Sequence, residues 1–143
     1  MDDQIKQLYQ EIILVQNKNP YHFVDPLPEG VRFKAYNPIC GDSFEVSIEM
    51  VQEQIKEAWF YGHGCAISKA SASVLVASLE NKSVEEGIEL VQEFLALVKE
   101  GDDQGKEVRK EFQAFTAAKN FPGRMSCATL VWEEALKWLT AGG

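Results

Sequence analysis

A thiol and a carboxylate stand one residue apart at Cys40 and Asp42, in the run Asn37-Pro38-Ile39-Cys40-Gly41-Asp42. Pro38 and Gly41 are turn formers, so the pair is expected at the tip of a hairpin, where both side chains could reach one ion. A second thiol, Cys65, lies in Gly62-His63-Gly64-Cys65-Ala66-Ile67-Ser68, where two glycines give way to a helical stretch. At a helix N-terminus the dipole and the unpaired N–H groups favour thiolate over thiol. The third, Cys127, follows Phe121-Pro122-Gly123-Arg124-Met125-Ser126, again where a loop runs into a helix. Arg124, one turn before it, gives a further reason for a lowered thiol pKa.

Each residue also has a plainer reading. Asp42 could be a turn residue, Cys40 a small half-buried side chain, Cys65 a filler of the first helical turn, and Cys127 a core residue beside a surface Arg124. The joint pattern outweighs these: every cysteine occupies a glycine-containing loop and none falls in a regular apolar stripe. Three thiolates and one carboxylate complete a tetrahedral shell for Zn²⁺, with sulfur at about 2.3 Å and oxygen at about 2.0–2.2 Å. Soft sulfur ligands equally suit an iron-sulfur cluster or Cu(I), and spacing does not choose among them. His63, two residues before Cys65, could be a fourth ligand or the base of a thiol nucleophile. His22 reads as a satisfied surface or packing residue. Ser68, Ser71 and Ser73 read as helix-start hydrogen bonders, with no triad order around them. Trp59, Phe60 and Tyr61 read most simply as core and strand edge, the alternative being part of a docking surface beside Gly62.

The elements that must hold these groups follow from periodicity. Ile5, Leu8, Tyr9, Ile12 and Ile13 recur at helical spacing and predict a helix from Asp2 to about Asn17, ended by Asn19-Pro20. Pro20, Pro26 and Pro28 mark residues 17–30 as an irregular connection wrapping the domain. Three strands follow, Val31 to Tyr36, Ser43 to Met50 and Gln54 to Tyr61. The second alternates Phe44, Val46, Ile48 and Met50 against Glu45, Ser47 and Glu49. The links are too short for crossover helices, so the sheet is expected to be an antiparallel meander. Helices are expected from Ile67 to Leu79, Val84 to Lys99 with Gly101 at C′, Gly105 to Ala118, and onward from Met125. Strands first and helices afterwards imply an α+β fold, a three-stranded antiparallel sheet packed against several helices, in one domain over residues 1–143.

The totals agree with a self-sufficient core: 143 residues, 45% of them hydrophobic. A net charge of −8 with no basic run argues against nucleic acid as a partner. No stretch approaches the ~20 apolar residues of a membrane span, and the acidic start lacks an export signal, so a cytoplasmic protein is expected. In that reducing compartment spare thiols serve metals or catalysis more often than disulfides.

At these residues the chain resembles the NifU/IscU family of iron-sulfur assembly proteins, and in detail its SufU branch. The marks are Asn37-Pro38 with Cys40-Gly41-Asp42, then Gly62, Gly64-Cys65, Ile67-Ser68 and Ala70-Ser71-Ala72-Ser73, then Arg124 with Cys127. They span almost the whole chain. The histidine that scaffold-type members carry before the last cysteine is Ser126 here, and the stretch from Cys65 to Cys127 is longer by about one helix. The Leu-Pro-Pro-Val-Lys segment read by a dedicated chaperone is replaced by Phe121-Pro122-Gly123-Arg124. The first two features are similar to SufU.

The resemblance implies a protein that docks on a pyridoxal-phosphate-dependent (PLP) cysteine desulfurase, accepts sulfur from its persulfide and passes it to a downstream iron-sulfur scaffold. It implies Zn²⁺ held by Cys40, Asp42, Cys65 and Cys127, with Cys40 released as the nucleophile when a desulfurase group such as a histidine takes its place. Arg124 would offset negative charge or guide docking. The alternatives are a scaffold on which a [2Fe-2S] cluster forms, a zinc-stabilised interaction module without chemistry, and a thiol hydrolase using Cys65 with His63.

Overall fold

The computed structural model describes residues 3–100, 109–121 and 123–141. The N-terminal helix runs as α1 (Asp3–Leu8), a π-helical segment (Tyr9–Leu14) and α2 (Val15–Lys18). Leu8 and Ile13 are buried, with Ile5, Tyr9 and Ile12 packed against the core. The wider π turn interrupts the 3.6-residue repeat, and Leu14 at its end and Val15 just after it are exposed.

Strands β1 (Val31–Asn37), β2 (Asp42–Val51) and β3 (Gln54–His63) form the expected antiparallel meander. A two-residue β4 (Lys82–Ser83) adds a fourth strand beside the start of β3. It lies just after α3 (Ala66–Leu79), and two residues are too few to show period-2 alternation in sequence. One sheet face is apolar: Ala35, Phe44, Val46, Ile48, Ala58 and Phe60 are all buried.

Helix α3 lies against that face and is buried nearly all round, which its Ala and Ser residues permit by letting neighbours approach closely. Two of its serines tie it to other elements. The Ser71 hydroxyl donates to Ala128 O at 2.6 Å and accepts from Trp132 Nε1 at 2.9 Å, and that of Ser73 donates to Gln16. Helices α4 (Val84–Glu100) and α6 (Met125–Thr140) complete the core, with Trp132 stacked on Phe94 at 3.8 Å between ring centroids.

The helix expected from Gly105 to Ala118 is a short α5 (Lys110–Gln113) continued by a 3-10 helix (Ala114–Asn120). Its expected start, like the Gly101 cap, lies outside the described residues.

The proline-bearing connection does wrap the sheet. Residues 22–24 run along the outer edge of β3, with Val24 N donating to Phe60 O at 3.1 Å and Phe60 N to His22 O at 3.0 Å. The chain then meets the outer sheet face, where Ser47 Oγ donates to Pro28 O at 2.7 Å, before entering β1. His22 is a packing residue as expected: it stacks between Tyr21 and Trp59, and its Nδ1 lies 2.9 Å from both Ala58 O and Glu80 Oε2. Glu80 also accepts from Ala58 N at 3.0 Å, so two side chains occupy the backbone groups of Ala58 that no strand reaches.

Candidate metal centre

Three structural features converge at one end of the sheet: the β1–β2 turn, the start of α3 and the start of α6. Cys40 sits in the turn. Asn37 Oδ1 accepts from the Ile39 and Cys40 N–H groups at 3.0 and 3.4 Å, an Asx turn that Pro38 favours by fixing its own φ. Gly41 N donates to Asn37 O at 2.8 Å, and Gly41 takes φ +78°, a conformation glycine adopts without steric cost. Cys40 is half-buried. Asp42 is not at the tip: it is the first residue of β2, paired in register with Asn37 and 1% exposed. The strand therefore begins one residue before the sequence pattern places it and turns the carboxylate inward.

Cys65 is the N-cap of α3, with extended backbone and a sulfur that accepts from Ser68 N at 3.4 Å. Its own N–H donates to Asp42 Oδ1 at 3.2 Å, and the Ser68 hydroxyl approaches the same oxygen at 3.2 Å. Gly64 makes this approach possible, because a Cβ there would overlap Ser68 Oγ and stand 2.6 Å from Asp42 Oδ1. Cys127 is the third residue of α6 and is 1% exposed, with Arg124 Nη1 pointing to its sulfur at 3.9 Å.

The ligand atoms of Cys40, Asp42 and Cys127 all lie within 4.8 Å of one another. Cys65 is outside that compact set, although its thiol and that of Cys127 influence each other electrostatically. His63 ends β3, is exposed, and is not in the set.

The electrostatics distinguish the two helix-start thiols. Burial pushes the Cys65 thiol up, but Ser68, above all through its backbone N–H, and the neighbouring Cys127 bring its pKa below the ordinary thiol value. Cys127 moves the opposite way. Burial is the largest cause, the adjoining Asp42 carboxylate reinforces it, and the Arg124 contact only partly offsets both. The expectation that Arg124 would lower this thiol holds for the sign of its effect, and burial outweighs it. Arg124 in turn holds its own proton more tightly, through its hydrogen bond to Cys127 and the charges of Cys65 and Cys127.

Asp42 Oδ2 is the feature that most directly tests whether an ion fits. It is fully buried, and among the described residues no hydrogen-bond donor reaches it, although leaving such an atom unpaired costs about 1–3 kcal/mol. An anionic oxygen without a donor, set among sulfur atoms, is a donor set for a thiophilic cation. Sequence reading marks Ser68 as a helix-start hydrogen bonder, which its contacts with Cys65 bear out, but does not connect it with Asp42. Its signal is its place three residues after the N-cap, from which a side chain reaches back to the cap.

The chain matches the NifU-like N terminal domain family over residues 8–128. It is 30% identical over 131 residues to the zinc-dependent sulfurtransferase SufU of Bacillus subtilis, covering 88% of this chain and 85% of that protein. To the iron-sulfur cluster assembly scaffold protein IscU of Thermotoga maritima it is 34% identical over 137 residues, covering 92% and 94%. A candidate SUF-system assembly scaffold from Fervidobacterium islandicum AW-1 superposes with a TM-score of 0.72 over 90% of this chain and 94% of that one, and its 24% identity speaks to the fold alone. A sheet that positions Cys40 and Asp42, two helix starts that supply Cys65 and Cys127, and a match spanning most of the residues thus converge: the chain belongs to the NifU-like N-terminal domain family, the group that includes IscU and SufU.

Proposed function

We propose that this chain is a sulfur carrier of iron-sulfur cluster assembly: Cys40 accepts sulfur as a persulfide from a PLP-dependent cysteine desulfurase of the SufS type and passes it to a downstream scaffold. Cys40, Asp42, Cys65 and Cys127 would hold Zn²⁺, which keeps thiols ionised at neutral pH when bound. The observation that carries this reading is the placing of Cys40. It shares a compact donor group with Asp42 and Cys127, yet it is half-buried on a turn, whereas Cys127 is locked in a helix and Cys65 caps one. A thiol on a turn moves at less cost than one fixed in a helix.

The transfer is a thiol exchange. The Cys40 thiolate attacks the terminal sulfur of the desulfurase persulfide, the sulfur-sulfur bond to the desulfurase cysteine breaks, and that cysteine leaves with the electron pair. Cys40 is left as the persulfide, and neither oxidant nor reductant is consumed. Arg124, beside Cys127 and carrying no carboxylate partner among the described ion pairs, offsets part of the cluster's negative charge. No helix among the described residues is long and apolar enough to cross a membrane. We assign the work to the cytoplasm, where thiols stay reduced.

The test is sulfide release by a cysteine desulfurase with this chain added, zinc-loaded or zinc-free. Zinc-loaded protein raises turnover, and Cys40→Ser abolishes the increase. No increase with the loaded wild type rejects the relay. The second reading, a scaffold for a [2Fe-2S] cluster, is favoured by the same sulfur-rich set and by the name of the Thermotoga relative. Anaerobic purification separates the two, since zinc without visible absorption supports relay and a brown protein supports scaffold.

A further inference from the structure

The two oxygens of Asp42 are treated differently by the fold. Oδ1 lies within hydrogen-bond distance of the Cys65 N–H and the Ser68 hydroxyl, both at 3.2 Å, and Gly64 packs against it so closely that a methyl group would collide. Oδ2, equally enclosed, has no donor among the described residues. A carboxylate oxygen offers two lone pairs, so Oδ1 is fully engaged and Oδ2 fully available. The Ser68 hydroxyl has one proton and also lies 3.0 Å from Cys65 O. A carboxylate attracts that proton more strongly than a neutral carbonyl or a sulfur does. Ser68 is 0% exposed and so shielded from bulk solvent.

We propose that Ser68 is a positioning residue that confines Asp42 to one-oxygen ligation and so sets the centre's preference for a four-coordinate, thiophilic ion. This rests on the metal reading of the site. With Oδ1 held by Ser68 and the Cys65 N–H, a cation meets Asp42 through Oδ2 alone and finds one oxygen beside the sulfurs. Freed of Ser68, the carboxylate can turn both oxygens to the ion, which raises the coordination number and favours harder, oxygen-preferring ions.

Cobalt(II) substitution reads this directly, because four-coordinate Co²⁺ with sulfur ligands absorbs far more strongly in the visible than five- or six-coordinate Co²⁺. Wild-type protein loaded with Co²⁺ is expected to show the intense bands. Ser68→Ala is expected to weaken them and to lower Zn²⁺ affinity about 10- to 100-fold in competition with a chromophoric chelator, the usual effect of losing a partner that orients a ligand. Ser68→Thr, which keeps the hydroxyl, restores both. Gly64→Ala presses on the same two oxygens from the other side, reproduces the spectral change, and serves if Ser68→Ala does not fold. Ser71→Ala removes another buried hydroxyl of α3 and leaves the bands intact. Unchanged bands and affinity in both Ser68→Ala and Gly64→Ala, with wild type loading normally, overturn the inference alone. A wild type that takes up neither ion overturns the metal reading together with it.

Discussion

The side-chain amide of Asn37 stands 3.4 Å from the hydroxyl of Ser126, joining the turn that carries Cys40 to the residue before Cys127. Because the same Asn37 accepts from Ile39 N and Cys40 N, one residue fixes the shape of the turn and its seat on α6.

Loosening that seat should act on Cys40 before any other thiol. Ser126→Ala removes the contact and leaves the Asx turn intact, so alkylation of Cys40 by iodoacetamide is expected to speed up about 2- to 10-fold, the range of one neutral hydrogen bond. Peptide mapping by mass spectrometry would show Cys127 labelling unchanged. Equal acceleration at all three cysteines would instead mark a general loss of structure.

Asp42→Asn separates ligation from packing. The amide oxygen can still accept from Cys65 N and Ser68, while the NH₂ takes the place of the ligating oxygen. Zinc affinity is expected to fall by more than about 100-fold, beyond what loss of a merely orienting partner does. The melting temperature of the zinc-free chain should hold or rise, because a buried anionic oxygen without a donor is removed.

The two helix-start thiols give opposite pH dependence in the zinc-free chain. Cys65 has a depressed pKa, so its contribution to stability is present above the unfolded thiol value of about 8.5 and is lost as pH falls through the folded value. Cys127 has a raised pKa, so its contribution is present below about 8.5 and is lost as pH rises through the folded value. Alkylation along a pH series should therefore label Cys65 at lower pH than Cys127. On the zinc proposal, uptake is expected to displace the Cys127 proton, so titration in weak buffer should show proton release and an affinity that grows with pH.

Stability of the frame rests on Trp132, fully buried, stacked on Phe94 and donating to Ser71. Trp132→Ala is expected to cost about 3–5 kcal/mol. In a chain of this size that lowers the melting temperature by on the order of 10 °C, measurable by circular dichroism.

Much of the frame was legible because its signals are local. The alternation of Phe44, Val46 and Ile48 marks a half-buried strand, and the glycines before Cys65 and Cys127 mark helix starts; both appear within two residues of their expected bounds. The fourth strand was not legible, because Lys82 and Ser83 owe their pairing to Gln54 and Ile55 rather than to their own pattern. The residues of the site could be picked by type, yet their unequal environments could not. Burial of Cys127 depends on α6 packing against α3, and the inward turn of Asp42 depends on pairing with Asn37, both long-range outcomes. Ser68 was legible as a helix-start hydrogen bonder but not as a partner of Asp42, for the same reason: that contact is with a carboxylate 26 residues away.

The strap of residues 22–24, with Glu80 and His22 closing on Ala58 and β4 pairing with Gln54 and Ile55, leaves β3 few unsatisfied backbone groups facing outward. At the opposite border β1 carries Arg32 and Lys34, whose charges repel an incoming strand of like sequence. Among the described residues the sheet thus offers little backbone on which copies of this chain could polymerise.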